Sequence, residues 1–275
     1  MTLISHNPKE VLYSAYRLRA RHLAPNGASK EVFGTCFHVK VEDDIFLVTN
    51  KHNFSLEYAD DKYVGYQIIA LFIAGYFGID QYAECDFADQ TVAYASPSND
   101  AEDVVVFDMT NIPFQFRRKR RPGEDPATKT TSIAPITIGI DMLATDADLK
   151  RANPGNTIAF PSYPALYDLN GVRPIMRTGT IASDPESDYQ TDTQAPARRI
   201  VCEAHSTSGS SGSPIFSIVG DRNELILLGI NSGHLTAEDA RMGTFHSGLS
   251  YCFKASCIVE CIDKLRSAKD ARRMG

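Results

Sequence analysis

The chain has 275 residues, of which 43% are hydrophobic and 23% charged, so it can bury a sizeable core in one large or two small domains. Its formal charge of −6 and pI near 5.6 argue against general affinity for nucleic acid or an anionic membrane, whose binding surfaces are basic. The longest apolar stretch, Ile68–Ile79, contains two glycines and falls short of the ~20 residues that span a bilayer.

The opening residues, Met1 to His6, lack the basic start, apolar core and small-residue cleavage site of a signal peptide. Six cysteines, at positions 36, 85, 202, 252, 257 and 261, are scattered without metal-ligand or redox-pair spacing. Such usage suits small buried thiols in a reducing, cytoplasmic setting, with no membrane partner, metal or cofactor expected. Cys257 and Cys261 are spaced to share one face of a helix.

In chain order, Asn7-Pro8-Lys9-Glu10 has the look of a helix start, yet Val11–Arg19 alternates as a strand does. The expectation is a short turn leading into a strand. Val32–Val39 reads as a strand rich in aromatic and β-branched residues, and after the turn Glu42-Asp43-Asp44 the run Ile45–Thr49 completes a hairpin. That hairpin delivers Asn50-Lys51-His52 at its end. A base must be held rigidly, and His52 is placed by a sheet rather than by a free loop. Its bland alternative is a surface histidine.

Residues 55–100 alternate strand-like runs (Gln67–Phe72, Thr91–Ala95) with polar turns. Asp103-Val104-Val105-Val106-Phe107-Asp108 then puts a carboxylate just before a buried strand, where it can be desolvated and still accept a hydrogen bond from an imidazole. Asp100 and Asp108 are rivals, and a turn aspartate capping its own backbone is the plain reading; Asp103 is the best placed. The stretch Asn111–Thr131 is rich in proline and charge and reads as a linker. Its run Arg117–Arg121 fits a solvated linker, a docking site for nucleic acid or an acidic partner, or a processing site for another protease. Further strands are expected at Ser132–Ile138, Asn156–Phe160, Ile175–Ala182, Arg199–Cys202, Pro214–Ile218 and Leu225–Gly233. Asp184–Ala197 reads as a surface loop and Ala255–Arg266 as a helix, from the spacing of Ile258, Cys261, Ile262 and Leu265.

Between two of those strands lies Gly209-Ser210-Ser211-Gly212-Ser213-Pro214. A Gly/Ser-rich run is often a linker. Here the glycines also permit backbone angles closed to other residues, so that the amides of Gly209 and Ser211 can converge before the Ser211 hydroxyl and hold an oxyanion. A serine hydroxyl needs such donors and a neighbouring base to act as a nucleophile.

His52, Asp103 and Ser211 thus occur in the order His-Asp-Ser. With Gly34-Thr35-Cys36-Phe37, Leu47–His52, Asp103–Phe107 and Gly209–Pro214 as its motifs, the chain resembles the trypsin-like (chymotrypsin-fold) serine endopeptidases, in particular bacterial and viral-type members lacking disulfides. The resemblance runs from about residue 11 to the closing helix. It implies an all-β fold of two six-stranded antiparallel β-barrels with a C-terminal α-helix. Residues 1–111 would form the barrel carrying His52 and Asp103, 112–131 the linker, 132–254 the barrel carrying Ser211, and 255–275 the helix and tail.

The resemblance further implies that Ser232 orients Asp103. It also implies that His205, Ser206, Thr207, Ser208, Asn231, Gly233 and His234 shape the pocket for the side chain preceding the cut bond. No aspartate forms an acidic floor there, so an uncharged polar or acidic side chain is expected; small apolar residues also fit, and His205 and His234 can equally be rim residues. The implied substrate is a protein or peptide. Ser210 stands where animal zymogens carry an aspartate that pairs with a newly cut N-terminus, and Asn53 follows His52 in place of their disulfide cysteine. Activation by cleavage is therefore not expected, which leaves a constitutive site or control by a protein partner. The rival from another class is a catalytically idle barrel that binds peptides or docks partners.

Overall fold

A computed structural model describes residues 8–76, 82–86, 92–110, 112, 135–164, 173–190, 195–220, 224–239 and 243–274. The basic run Arg117–Arg121 and most of the expected linker lie outside them, as does the side chain of Cys85. The chain starts with a five-residue helix, α1 (Pro8–Leu12), and the first strand, β1, runs Ala15–Leu23. The helical start signals therefore prevail over the alternation for one turn before the chain extends, and the expected turn is a helix.

There follow β2 (Ser29–Val41) and β3 (Asp44–Thr49), the short helices α2 (Lys51–Phe54) and α3 (Leu56–Ala59), then β4 (Gln67–Tyr76), β5 (Tyr82–Asp86), β6 (Tyr94–Ala95) and β7 (Val105–Asp108). After β8 (Thr137–Gly139) and helix α4 (Asp146–Leu149) come β9 (Thr157–Ser162), β10 (Ile175–Ile181), β11 (Arg199–Glu203), β12 (Pro214–Val219), β13 (Glu224–Asp239) and β14 (Gly243–Lys254). Helix α5 (Ala255–Met274) closes the chain.

Among the described residues, strands β9 to β14 form a closed antiparallel barrel in the order β10-β11-β14-β13-β12-β9. The N-terminal strands form an eight-stranded sheet in the order β5-β4-β1-β2-β3-β7-β6, with β8 beside β2. Expected and observed strands differ at several places, two of which concern the second barrel. Thr137–Gly139 does not open the second barrel; it pairs in parallel with His38–Lys40 of β2. The reason is geometric: β1 pairs with β2 only as far as Phe37, which leaves the next three residues of β2 with an open edge that β8 fills. The sixth strand of the barrel is β14, which no sequence pattern marked.

Phe37, Phe46, Phe160, Ile200, Phe216, Leu227 and Phe253 are buried in one cluster fed by both halves and by α5. Cys257, Ile258, Cys261 and Ile262 of α5 belong to it, so the helix buries the stripe its spacing predicts. Cys36, Cys202, Cys252, Cys257 and Cys261 are buried free thiols. A bidentate pair adds a polar tie: Arg198, at the start of β11, holds Glu102 and also Glu260 of α5. Glu102 precedes Asp103, so this tie fixes the backbone from which that carboxylate projects. Among the described residues no helix is long and apolar enough to cross a membrane.

Candidate active site

Strand β3 ends at Thr49 and turns at once into α2, so His52 sits in the first turn of a short helix packed against the sheet. Asp103 lies two residues before β7, which pairs with β3 from Thr49↔Val105 to Phe46↔Asp108. Adjacent strands thus bring together two residues 51 positions apart. The His52 backbone N–H donates to Asp103 Oδ1 at 2.9 Å, and the imidazole Nδ1 meets Asp103 Oδ2 at 2.5 Å. Asn50 adds a third restraint by donating its Nδ2 to the Asp103 carbonyl at 2.6 Å.

The rivals are placed elsewhere. Asp100 is exposed and 3.6 Å from Lys51, and Asp108 accepts from the amide and hydroxyl of Thr110.

Asp103 is 7% exposed. Burial pushes its carboxyl pKa up, but the facing imidazole, the Ser232 hydroxyl and the His52 amide outweigh this and hold it below its usual range. For His52, burial pulls the pKa down and the Asp103 charge and hydrogen bond pull it up, with a net rise. Both directions describe one favourable pair. A carboxylate facing Nδ1 fixes the tautomer with the proton on Nδ1, which leaves Nε2 as an acceptor.

Ser232 is the hinge of the arrangement. Its hydroxyl donates to Asp103 Oδ2 at 2.5 Å, and its carbonyl accepts the Ser211 hydroxyl at 3.0 Å. His52, Asp103, Ser232 and Ser211 therefore form one hydrogen-bonded chain. No direct hydrogen bond joins Ser211 to His52 among the described residues; the hydroxyl is turned toward Ser232.

The loop around Ser211 is held from both halves. Gly209 and Gly212 adopt φ of 89° and 91°, the left-handed region that favours glycine. A Cβ on Gly212 would lie 1.9 Å from the Thr35 carbonyl oxygen, so only glycine fits there. From β2, the Thr35 amide donates to the Ser211 carbonyl at 2.7 Å and the Thr35 hydroxyl donates to the Gly209 carbonyl at 2.7 Å. Asn53 donates to the Ser211 carbonyl as well, at 3.3 Å.

From the barrel, Gly212 N–H donates to the Asn231 carbonyl, and Asn231 Nδ2 donates to the Ser210 carbonyl. The amides of Ser210, Gly212 and Ser213 are all taken up by backbone carbonyls. Those of Gly209 and Ser211 have no acceptor among the described residues.

The candidate pocket residues divide into two groups. Ser206 and Asn231 are 2% and 1% exposed and bonded to each other at 3.0 Å, so they brace the loop. His205 and His234 are exposed and Gly233 is half-buried. Thr207 takes the Arg177 guanidinium on its hydroxyl, and Ser208 lies exposed in the turn after it.

Sequence reasoning missed Asn50, Thr35 as an anchor, Asn53 as a clamp, and His246 of β14, whose ring stacks on that of His234 and lies tilted against that of His205. Thr35 stood in a motif already noted, and only the fold reveals its partner 174 residues away.

No protein-family model matches the chain, and no curated protein matches it in sequence. Solved structures do. The chain is similar to the Rv3671c protease from M. tuberculosis in its active form, at 16% identity and a TM-score of 0.51, covering 96% of this chain and 89% of that one. It is similar to Deg5 at 13% identity and a TM-score of 0.52, covering 94% and 90%. With its closed barrel, second sheet and terminal helix, the chain has the fold of the trypsin-like serine proteases.

Proposed function

We propose that the chain is a serine endopeptidase that cleaves protein or peptide substrates by acyl transfer. The observation that carries this reading is the hydrogen-bonded chain His52–Asp103–Ser232–Ser211 beside two amides, of Gly209 and Ser211, without acceptors. A rotation about the Ser211 Cα–Cβ bond moves its hydroxyl from the Ser232 carbonyl toward His52 Nε2. Nε2 takes the proton as Oγ attacks the substrate carbonyl, and the carbonyl oxygen gains negative charge before the Gly209 and Ser211 amides. The imidazolium, stabilised by Asp103, returns the proton to the leaving amine. Water, deprotonated by the same Nε2, then hydrolyses the acyl-enzyme and frees Ser211.

The test is covalent labelling by a fluorophosphonate. Labelling at Ser211 that disappears in His52→Ala supports the peptidase, and Ser211→Ala should lose turnover while keeping its fold. A second reading, an idle barrel that binds peptides, is favoured by the Ser211 hydroxyl facing Ser232 instead of His52. It expects no labelling under any condition, whereas labelling that appears only with an added protein indicates an activating partner.

A further inference from the structure

The turn that carries Asp103 lies outside the strand ladder, since β6 ends at Ala95 and the pairing of β7 with β3 begins at Val105. Side chains must therefore set its position. From its own half, Asn50 and Lys51 donate to the carbonyls of Asp103 and Asp100. The other half holds the turn at four further points. Glu260 of α5 accepts from the Ser98 amide at 2.7 Å and the Ser98 hydroxyl at 2.8 Å, Asn99 Nδ2 donates to the Pro196 carbonyl at 3.0 Å, and Arg199 donates to the Ala101 carbonyl at 3.3 Å. The fourth point is Glu102. Its Oε1 accepts from the Arg198 backbone amide at 3.1 Å and from Arg198 Nε at 2.8 Å, and its Oε2 accepts from Arg198 Nη2 at 2.5 Å. The same Nη2 also reaches Glu260, at 2.5 Å.

We infer that Arg198 is a positioning residue for the proposed chemistry: by gripping Glu102 from across the two halves, it sets where the Asp103 carboxylate meets the His52 imidazole. The inference rests on the peptidase reading and extends its machinery to the start of β11 and to α5.

Three features support it. Glu102 is 1% exposed, so its charge is cut off from water and depends on the three donors of Arg198. Burial pushes its carboxyl pKa up, and the Arg198 hydrogen bonds and charge outweigh this and keep it ionised. Second, a fork of two side-chain N–H donors fixes direction as well as distance. Third, the next residue has little room. Asp103 Oδ2 meets both His52 Nδ1 and the Ser232 hydroxyl at 2.5 Å, so a small rotation of the backbone at Glu102 breaks one contact or the other. Without Arg198 the buried Glu102 carboxylate takes up a proton or turns toward water, and either change releases the turn that holds Asp103.

The experiment uses Arg198→Met and the double variant Glu102→Gln/Arg198→Met, each at a temperature where circular dichroism shows it folded. Two quantities are read: the rate of fluorophosphonate labelling at Ser211, and the His52 pKa by NMR, with the resonance assigned from His52→Ala. A displacement of the carboxylate by about 1 Å should slow labelling about 100-fold. The His52 pKa should fall toward that of Asp103→Asn, because burial then acts on the imidazole against a weaker opposing charge. The double variant removes the buried charge together with its partner, so it should regain stability, but it lacks the fork, and both quantities should stay shifted. A purely structural role predicts instead that the double variant returns to the wild-type labelling rate and pKa. That return, or wild-type values in a folded Arg198→Met, overturns the inference while Ser211 labelling leaves the peptidase reading standing. If Arg198→Met does not fold, the double variant decides alone. If wild-type Ser211 takes no label, the peptidase reading falls and the His52 pKa decides the positioning role: a fall in the variants upholds it, and no change removes it.

Discussion

Thr35 offers the sharpest test of how the two halves build the site. Its hydroxyl donates to the Gly209 carbonyl at 2.7 Å and accepts from the Tyr163 amide at 3.2 Å, in a fully buried position. Thr35→Val keeps the shape and removes the hydroxyl, leaving one buried carbonyl and one buried amide unsatisfied. Each such group costs about 1–3 kcal/mol, so the pair lowers stability by at least about 2 kcal/mol. At roughly 2–4 °C per kcal/mol for a chain of this size, Tm falls by at least about 4–8 °C. The larger effect should be on chemistry. The Gly209 carbonyl is what the sheet grips, and releasing it lets the neighbouring amide leave the oxyanion position, a displacement worth about 100-fold in rate. Calorimetry gives Tm, and the rate of fluorophosphonate labelling gives the second quantity. Thr35→Ser, which keeps the hydroxyl, should recover most of the labelling rate. Equal rates for wild type and Thr35→Val, or a Thr35→Ser as slow as Thr35→Val, would refute the anchoring role.

Asp103→Asn should lower kcat/KM by roughly 10,000-fold, since the amide no longer fixes the His52 tautomer. Burial alone then acts on the imidazole, so its pKa, followed by NMR, should drop below the usual value instead of standing above it. On the proposed mechanism His52 acts as a base only when neutral; the acid limb of kcat/KM should therefore lie above the ordinary imidazole pKa. Stability follows the opposite sides of the pair. The raised His52 pKa contributes fully below the ordinary imidazole value and is lost as pH rises through the folded value, and the lowered Asp103 pKa contributes above the ordinary carboxylate value and is lost as pH falls through its folded value. Denaturant titrations across pH should therefore place the pair's maximum between the two ranges, and a pH-independent difference between wild type and Asp103→Asn contradicts the coupling. Gly212→Ala and Gly27→Ala form a matched test: both have left-handed backbone, but a Cβ on Gly27 meets nothing within 4 Å. Gly27→Ala should cost only the conformational strain of about 1–3 kcal/mol, and Gly212→Ala clearly more, together with loss of labelling; equal costs would mean the loop moves away freely.

Much of this was legible in the sequence, for definite reasons. His52, Asp103 and Ser211 each stand at the end of a strand marked by β-branched and aromatic residues, so local pattern locates them. Thr137–Gly139 was misassigned because a three-residue strand has no pattern that says which sheet it joins; the open edge of β2 decides that. β14 escaped because its first half, Gly243 to Gly248, is mostly exposed and polar, and only Ser250 to Lys254 reach the core. His246 lay in that unmarked half, so the imidazole that meets His205 and His234 could not be found from spacing. The bonds of Thr35 and Asn53 to the nucleophile loop span more than 150 residues and belong to tertiary structure alone.

The energetics of the site argue for more than a scaffold role. Asp103 is a buried charge that receives four hydrogen-bond donors, on its carboxylate and its carbonyl, from His52, Ser232 and Asn50. A buried pair satisfied this well roughly breaks even against apolar residues of the same volume, so fold stability does not call for it. Nearby, the Ser210 and Ser213 hydroxyls and Asn231 Oδ1 are buried without partners among the described residues, which is a direct cost. A barrel that only enclosed a core would gain by replacing these groups. What they give in return is position: the Asp103 network fixes one imidazole nitrogen as an acceptor, and the braced loop leaves the two amides of Gly209 and Ser211 without acceptors among the described residues. An acceptor nitrogen, a serine hydroxyl and a pair of donors without acceptors are the requirements of acyl transfer, and a groove that merely holds a peptide needs none of the three.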